Sequence, residues 1–173
     1  MKNRILLSLL IIILPFFHLQ AEEQEGNTYK TEERLFHIAR SANRNLVCYD
    51  INLKNGKLDT SNPLNVYWIN REEHPGKKGG LSFIQRKLAY GYKLVSSHHG
   101  TCVCSLTAYP KRKLTIKQDG TEYVCLIKIQ NEDAILKSLY VKANPKNPLS
   151  VEYVELRGIS TKTHQMITER VKK

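Results

Sequence analysis

Residues 113–130 read KLTIKQDGTEYVCLIKIQ, two short runs of β-forming residues on either side of Asp119-Gly120. An Asp-Gly pair between such runs is a strong local signal for a tight hairpin. In the second run Tyr123, Cys125, Ile127 and Ile129 share a face, because side chains alternate along a strand. The same pattern continues on both sides. TCVCSLTAY (101–109) precedes it, AILKSLYVKA (134–143) and SVEYVELRG (150–158) follow, and the tail QMITERVKK offers a last strand.

Nearer the start, LFHIARS (35–41) and NLVCYDINL (45–53) flank Ala42-Asn43-Arg44-Asn45, a polar link of hairpin length. KNGKLDTSNP (54–63) then turns the chain at Asn55-Gly56. LNVYWIN (64–70) is apolar on both faces, which predicts a strand buried from two sides. REEHPGKKGG (71–80) reads as a basic loop, since its proline and glycines oppose regular structure. LSFIQRKLAYG (81–91) is the helical piece: Ser82 can cap it, Phe83, Lys87 and Tyr90 or Ile84 and Leu88 give helical spacing, and Gly91 can end it. The expected class is therefore mainly β, an antiparallel β-barrel or sandwich of about eight short strands with one short α-helix. A barrel is preferred slightly, because closure removes the exposed edges that open sheets must guard.

The first residues carry a different message. Lys2 and Arg4 precede an apolar run from Ile5 to Leu14, and Ala21 closes a small-residue cleavage site, the three parts of a secretory signal peptide. The run is too short for a comfortable membrane span, which needs about 20 apolar residues. The reading is a signal peptide over 1–21, a flexible lead-in over 22–33 and a single β-rich domain over 34–173, exported to the periplasmic or extracellular space and monomeric. The formal charge is +11, and removing Lys2 and Arg4 leaves +9. Such a field favours anionic partners such as lipid headgroups or acidic glycans. The cations are scattered in pairs rather than gathered on one helix, so nucleic acid is not the expected partner and much of the charge serves as a solvated surface.

Four blocks, LFHIARSANRNLVCYDINL, GKLDTSNPLNVYWI, LSFIQRKLAYGYKL and YVELRGI, together resemble the family catalogued as domain of unknown function 4833. The resemblance covers the domain from about Arg34 to Glu169 and implies a single exported domain of that type. It implies no activity and no catalytic residues, so candidate sites rest on side-chain chemistry.

The first candidate group lies around the hairpin link: His37, Arg40, Ser41, Asn43, Arg44, Asn45 and Asp50. Asn43 and Asn45 can simply make the turn, since asparagine bonds its own backbone and tolerates left-handed geometry. Alternation places Arg40 on the face of Phe36 and Ile38, where a guanidinium needs a partner: Asp50, Glu155 or an anionic ligand. The second group is aromatic, Tyr67, Trp68, Tyr90, Tyr92 and Tyr153, which suits either a paired β core or the wall of a sugar- or lipid-binding pocket. The expected ligand-binding set is Arg40, Asn43, Asn45, Tyr67, Trp68, Arg86 and Tyr90.

The chain has no G-x-S-x-G elbow, no H-E-x-x-H and no phosphate-cradling glycine loop, which argues against an enzyme. Cys48, Cys102, Cys104 and Cys125 allow three disulfide pairings. Cys102 with Cys104 is poor, because extended i and i+2 positions are too far apart. If residues 101–130 form a meander, the outer strands lie about 10 Å apart and neither Cys102 nor Cys104 reaches Cys125. Cys48 stays open as a partner for Cys102 or Cys104, with four small buried hydrophobes as the alternative. His98 and His99 point opposite ways and C-x-C lacks the usual knuckle spacing, so neither a metal nor any other cofactor is expected.

Three functions follow as expectations. The first is an exported binding module for an anionic or amphiphilic ligand, such as an envelope lipid or glycan. The second is a hydrolase using His37 with Asp50 or a tyrosine, and the third an envelope interaction protein without a ligand.

Overall fold

The computed structural model describes residues 34–172; the expected signal peptide (1–21) and lead-in (22–33) lie outside the described residues. Thirteen strands are present among them: β1 (Arg34–Arg40), β2 (Asn43–Ile51), β3 (Leu53–Lys54), β4 (Lys57–Leu58), β5 (Leu64–Ile69), β6 (Lys78–Gly80), β7 (Tyr92–His98), β8 (Thr101–Leu106), β9 (Tyr109–Asp119), β10 (Glu122–Ile129), β11 (Glu132–Asn144), β12 (Asn147–Ser160) and β13 (Met166–Lys172). One helical turn, α1 (Phe83–Gln85), widens into a π turn over Arg86–Tyr90. The mainly-β class with one short helix holds. The strand number exceeds the expected eight because REEHPGKKGG ends in a short edge strand and KNGKL folds into its own hairpin.

β11 is the junction of the sheet. One of its edges pairs with β12 over residues 134–144; the other pairs first with β10 (132–135) and then, in parallel, with β1 (138–141). Every other pairing is antiparallel. Two wings, β10-β9-β8-β7 and β1-β2-β5-β6, therefore leave the same edge of one strand. They curl toward each other, and one core gathers Phe36, Val47, Tyr49 and Leu64 from the β1 wing with Cys102, Leu114, Ile116 and Ile127 from the β10 wing. β12 and β13, on the other edge of β11, are tied back to the β10 wing. Glu169 of β13 takes two bonds from the Arg112 guanidinium of β9, at 2.8 and 2.7 Å, and one from the Gln130 backbone at 2.6 Å.

The turns show the local chemistry at work. Asn55-Gly56 and His99-Gly100 are two-residue loops with both backbones left-handed (φ 53°, 74° and 46°, 74°), the geometry that matches strand twist. The stretch SSHHGTCVC is thus a hairpin tip leading into a core strand. The expected Asp119-Gly120 turn is displaced by one residue. Asp119 pairs with Glu122, and Gly120-Thr121 makes the loop with Gly120 supplying φ 62°. Likewise Arg40 pairs with Asn43, so Ser41-Ala42 turns the chain and Asn43 to Asn45 belong to β2 rather than to a link.

All four cysteines are free and buried. β8, β9 and β10 do form a meander, with Ile116 of β9 standing between Cys102 and Cys125. Cys48 points away from the main core. It packs with Leu46, Tyr67 and Ile69 in a second cluster on the other face of β2 and β5, which separates it from Cys102 and Cys104. LNVYWIN is accordingly buried from both sides, as its composition predicts.

Candidate functional site

The barrel interior is filled by apolar side chains, and open space lies at the rim. A cavity of about 420 Å³ sits where the hairpin end of β1–β2 meets β5, β6 and the start of α1. Arg40, Asn43, Asn45, Trp68, Asn70, His74, Lys77, Lys78, Gly79 and Gln85 line it, and none of these is acidic.

Each wall is held by an identifiable local device. Arg40 ends β1 two residues beyond Ile38, so the alternation that buries Phe36 and Ile38 carries its guanidinium to the rim. Its Nη1 donates to the Tyr90 hydroxyl at 2.6 Å, and the guanidinium lies 5.9 Å from that ring's centroid. Among the described residues, neither Asp50 nor Glu155 is its partner. Asp50 accepts from Arg34 at 2.9 Å and from the Tyr67 hydroxyl at 2.5 Å. Glu155 is taken by Arg157 and Arg170. Among the described residues, the Tyr90 hydroxyl takes the place of either acid as the partner of Arg40.

Trp68 forms the floor. Its indole N–H donates to Gln85 Oε1 at 3.1 Å, and Tyr90 meets its ring edge-on at 5.1 Å between centroids. Gln85 Oε1 also accepts from the Ser82 N–H, completing a capping box with Ser82 Oγ at the start of α1. The π turn then brings Tyr90 back over Arg40 and Trp68, and Tyr49 pins its carbonyl from below with a 2.7 Å hydrogen bond. Burial pushes the Tyr90 hydroxyl up, against the opposing pull of Arg40, so at neutral pH it remains a protonated acceptor for the guanidinium.

The loop over residues 70–77 is shaped by asparagine carbonyls. Asn43 Oδ1 accepts from the Asn45 N–H, Asn45 Oδ1 from the Arg71 N–H at 2.8 Å, and Asn70 Oδ1 from the Glu72 N–H at 2.9 Å. With those oxygens occupied by the protein, the side-chain NH₂ groups of Asn43, Asn45 and Asn70 are left as donors. The nearest loop carboxylate, Glu72, accepts from the Arg44 N–H at 3.0 Å; the lining itself holds amide and cationic donors and no acid, a surface suited to an anion.

Of the seven expected ligand-binding residues, Arg40, Asn43, Asn45, Trp68 and Tyr90 are brought together here. Tyr67 is not: it lies on the opposite face of β5, where Arg34 donates to its hydroxyl at 2.7 Å. Burial first, and Asp50 second, push the Tyr67 hydroxyl up to about 12. Arg86 is also elsewhere, bordering a second cavity of about 450 Å³ with Asn52, Leu64, Leu81 and Tyr92. Asn70, His74, Lys77, Lys78 and Gln85 were missed as site residues. The basic loop was legible, but not that β6 would fold back and pair Lys78 with Ile69.

His37 sits opposite Cys48 on β2, on the outer face with Arg34, Asp50 and Tyr67. Burial, then the charges of Arg34 and Arg71, lower its pKa, which leaves a neutral imidazole at pH 7. The Cys48 thiol is pushed up to about 11 by burial. A protonated thiol is a weak nucleophile. Among the described residues, no cluster of three or more His, Cys, Asp or Glu side chains could hold a metal.

Comparison with curated proteins and with solved structures finds no match to this chain. A family model described as "Domain of unknown function (DUF4833)" matches residues 36–170, and the chain belongs to that family.

Proposed function

We propose that this protein is a binding module for an anionic or amphiphilic ligand, taken at the rim cavity between β5, β6 and α1. The observation that carries this reading is Arg40. Among the described residues its one hydrogen-bond partner is the Tyr90 hydroxyl, and it borders a cavity lined by His74, Lys77, Lys78 and amide donors with no acid among them. A guanidinium so placed offers its remaining N–H groups to a phosphate or carboxylate. The Trp68 face beside it suits an apolar or sugar portion of the same ligand. The volume of about 420 Å³ falls within the ordinary range for small-molecule sites. The basic start and apolar run of residues 1–21 support export to the periplasmic or extracellular space as its setting.

Isothermal titration with inorganic phosphate and with dodecyl phosphate tests the reading. The amphiphile is expected to bind more tightly than phosphate, because only it can cover Trp68. Arg40→Leu is expected to weaken both by roughly tenfold or more, the value of a charge-assisted hydrogen bond, while its stability in urea falls only by the roughly 1 kcal/mol of the lost Tyr90 bond. Absence of binding by either anion, or equal binding by Arg40→Leu, refutes the proposal.

A further inference from the structure

Apolar residues in LSFIQRKLAYG have helical spacing, and the structure turns them outward. Phe83 is 75% exposed, Ile84 66% and Leu88 68%, and no residue of the turn is buried. The reason is visible in the anchoring. Gln85 and Tyr90 make the inward contacts, through hydrogen bonds to Trp68, Arg40 and Tyr49 and the packing of the Tyr90 ring on Trp68. Leu88 follows Ile84 by four residues along the same turn, the spacing of neighbours on a helix surface. Leu94, 38% exposed on β7, an edge strand of the sheet, borders the same cavity as Arg86 and extends the apolar surface onto that strand. Isolated exposed leucines are ordinary, but several bulky side chains on the outside of one short turn mark a contact surface.

Charge identifies what the surface meets. Between Glu73 and Asp119 the chain carries nine lysines and arginines and no acid at all. This span includes α1, β6, β7 and β8, so the exposed apolar turn is set in a one-signed part of the molecule. Arg86 and Lys87 lie within the turn itself, and the Lys87 ammonium stands 5.6 Å from the Phe83 ring centroid. Lys93 is the second residue of β7, next to Leu94. A second copy of the chain would bring the same positive charge against it. A surface that is apolar at the centre and cationic around it complements a bilayer, whose interface accepts aromatic and aliphatic side chains while anionic headgroups neutralise lysine and arginine.

We propose that the turn over residues 83–90, with the adjoining part of β7, docks on the surface of an anionic lipid bilayer. Phe83, Ile84 and Leu88 enter the headgroup–acyl boundary, and Arg86, Lys87 and Lys93 contact headgroup phosphates. Eight residues are far short of the roughly 20 a helix needs to span the hydrocarbon, so the contact is peripheral.

The full chain with Phe83→Trp, bound to vesicles of phosphatidylcholine and phosphatidylglycerol, provides a local readout that binding by any other segment does not imitate. Trp68, half-buried against Tyr90 and Gln85, is the internal reference in the parent chain. Emission from Phe83→Trp should move to the blue on vesicles, and brominated acyl chains should quench it roughly twofold or more beyond the parent. Molar salt, where the Debye length is about 3 Å, should weaken the effect, and pure phosphatidylcholine should abolish most of it. Leu88→Trp is the second reporter and should behave alike. If both reporters stay water-exposed on vesicle-bound protein, the proposal is overturned. A blue shift that grows with protein concentration without vesicles also overturns it, in favour of self-association. Isothermal titration of the same Phe83→Trp chain with inorganic phosphate, without vesicles, reads the rim cavity alone, so failure of the rim cavity as an anion site and failure of this surface are separately visible.

Discussion

Gly91→Ala is a sharp test of the link between the turn and the rim cavity. Gly91 follows the π turn with an ordinary extended backbone, φ −68°, so its need for glycine is not conformational. It is steric: a Cβ at this position would lie 2.0 Å from the Arg86 carbonyl oxygen and 2.9 Å from its carbon. Both obstacles are backbone, so no rotamer change relieves them. Even to reach the 3.0 Å limit, the carbonyl would have to retreat by a full ångström. Overpacking of this kind costs about 1–3 kcal/mol, partly offset by about 0.4–1 kcal/mol from the stiffer unfolded chain.

The loss also has a ceiling. The turn can detach from the sheet by giving up the Trp68–Gln85, Arg40–Tyr90 and Tyr49–Tyr90 hydrogen bonds. At about 1 kcal/mol each these amount to about 3 kcal/mol. We therefore expect a urea-measured destabilisation of about 1–3 kcal/mol with weakened anion binding, because Tyr90 no longer orients Arg40. Gly80→Ala is the control: nothing lies within 4 Å of its added Cβ, and it should stay within about 0.5 kcal/mol of the parent. If Gly91→Ala is as stable as Gly80→Ala and binds anions equally well, the steric reasoning and the coupling both fail.

Two further outcomes can be checked by simpler means. Glu169→Gln should lower stability by about 1–2 kcal/mol in urea, because Arg112 and Gln130 lose a charged acceptor and the β13 edge loses its tie to β9; Arg112 first, then the Gln130 N–H against the opposing effect of burial, holds the Glu169 carboxyl below its ordinary 4.5. That stabilisation is present above about pH 4.5 and lost as pH falls through the lower folded value; acid titration of the parent should show it, and Glu169→Gln should flatten the profile there. A thiol reagent at pH 8 should leave native protein unlabelled and modify four cysteines after denaturation, since burial holds Cys48 near about 11 and pushes Cys104 up to about 12; rapid native labelling would contradict the packing described.

The strand pattern was legible because alternation and turn chemistry are local. Asn55-Gly56 turns where its residue types require, Cys102, Cys104 and Leu106 share a buried face, and Ser82 caps the helix. Helical spacing at Phe83, Ile84 and Leu88 left open what their side chains would meet. Periodicity shows which residues share a face, not whether anything lies against it, and this turn is anchored by the polar groups of Gln85 and Tyr90 instead.

The sequence alone determined the mainly-β class, the faces of most strands, the family and the choice of Arg40, Asn43, Asn45, Trp68 and Tyr90. These follow from side-chain alternation and from residue types that act within a few positions. Only the tertiary structure decided which strands share the edge of β11, that Cys48 faces away from Cys102 and Cys104, and that Tyr67 and Arg86 leave the rim cavity while His74, Lys77 and Gln85 enter it. Those are contacts between residues far apart in the chain, set by pairing register and the curl of the sheet, and no local pattern carries them.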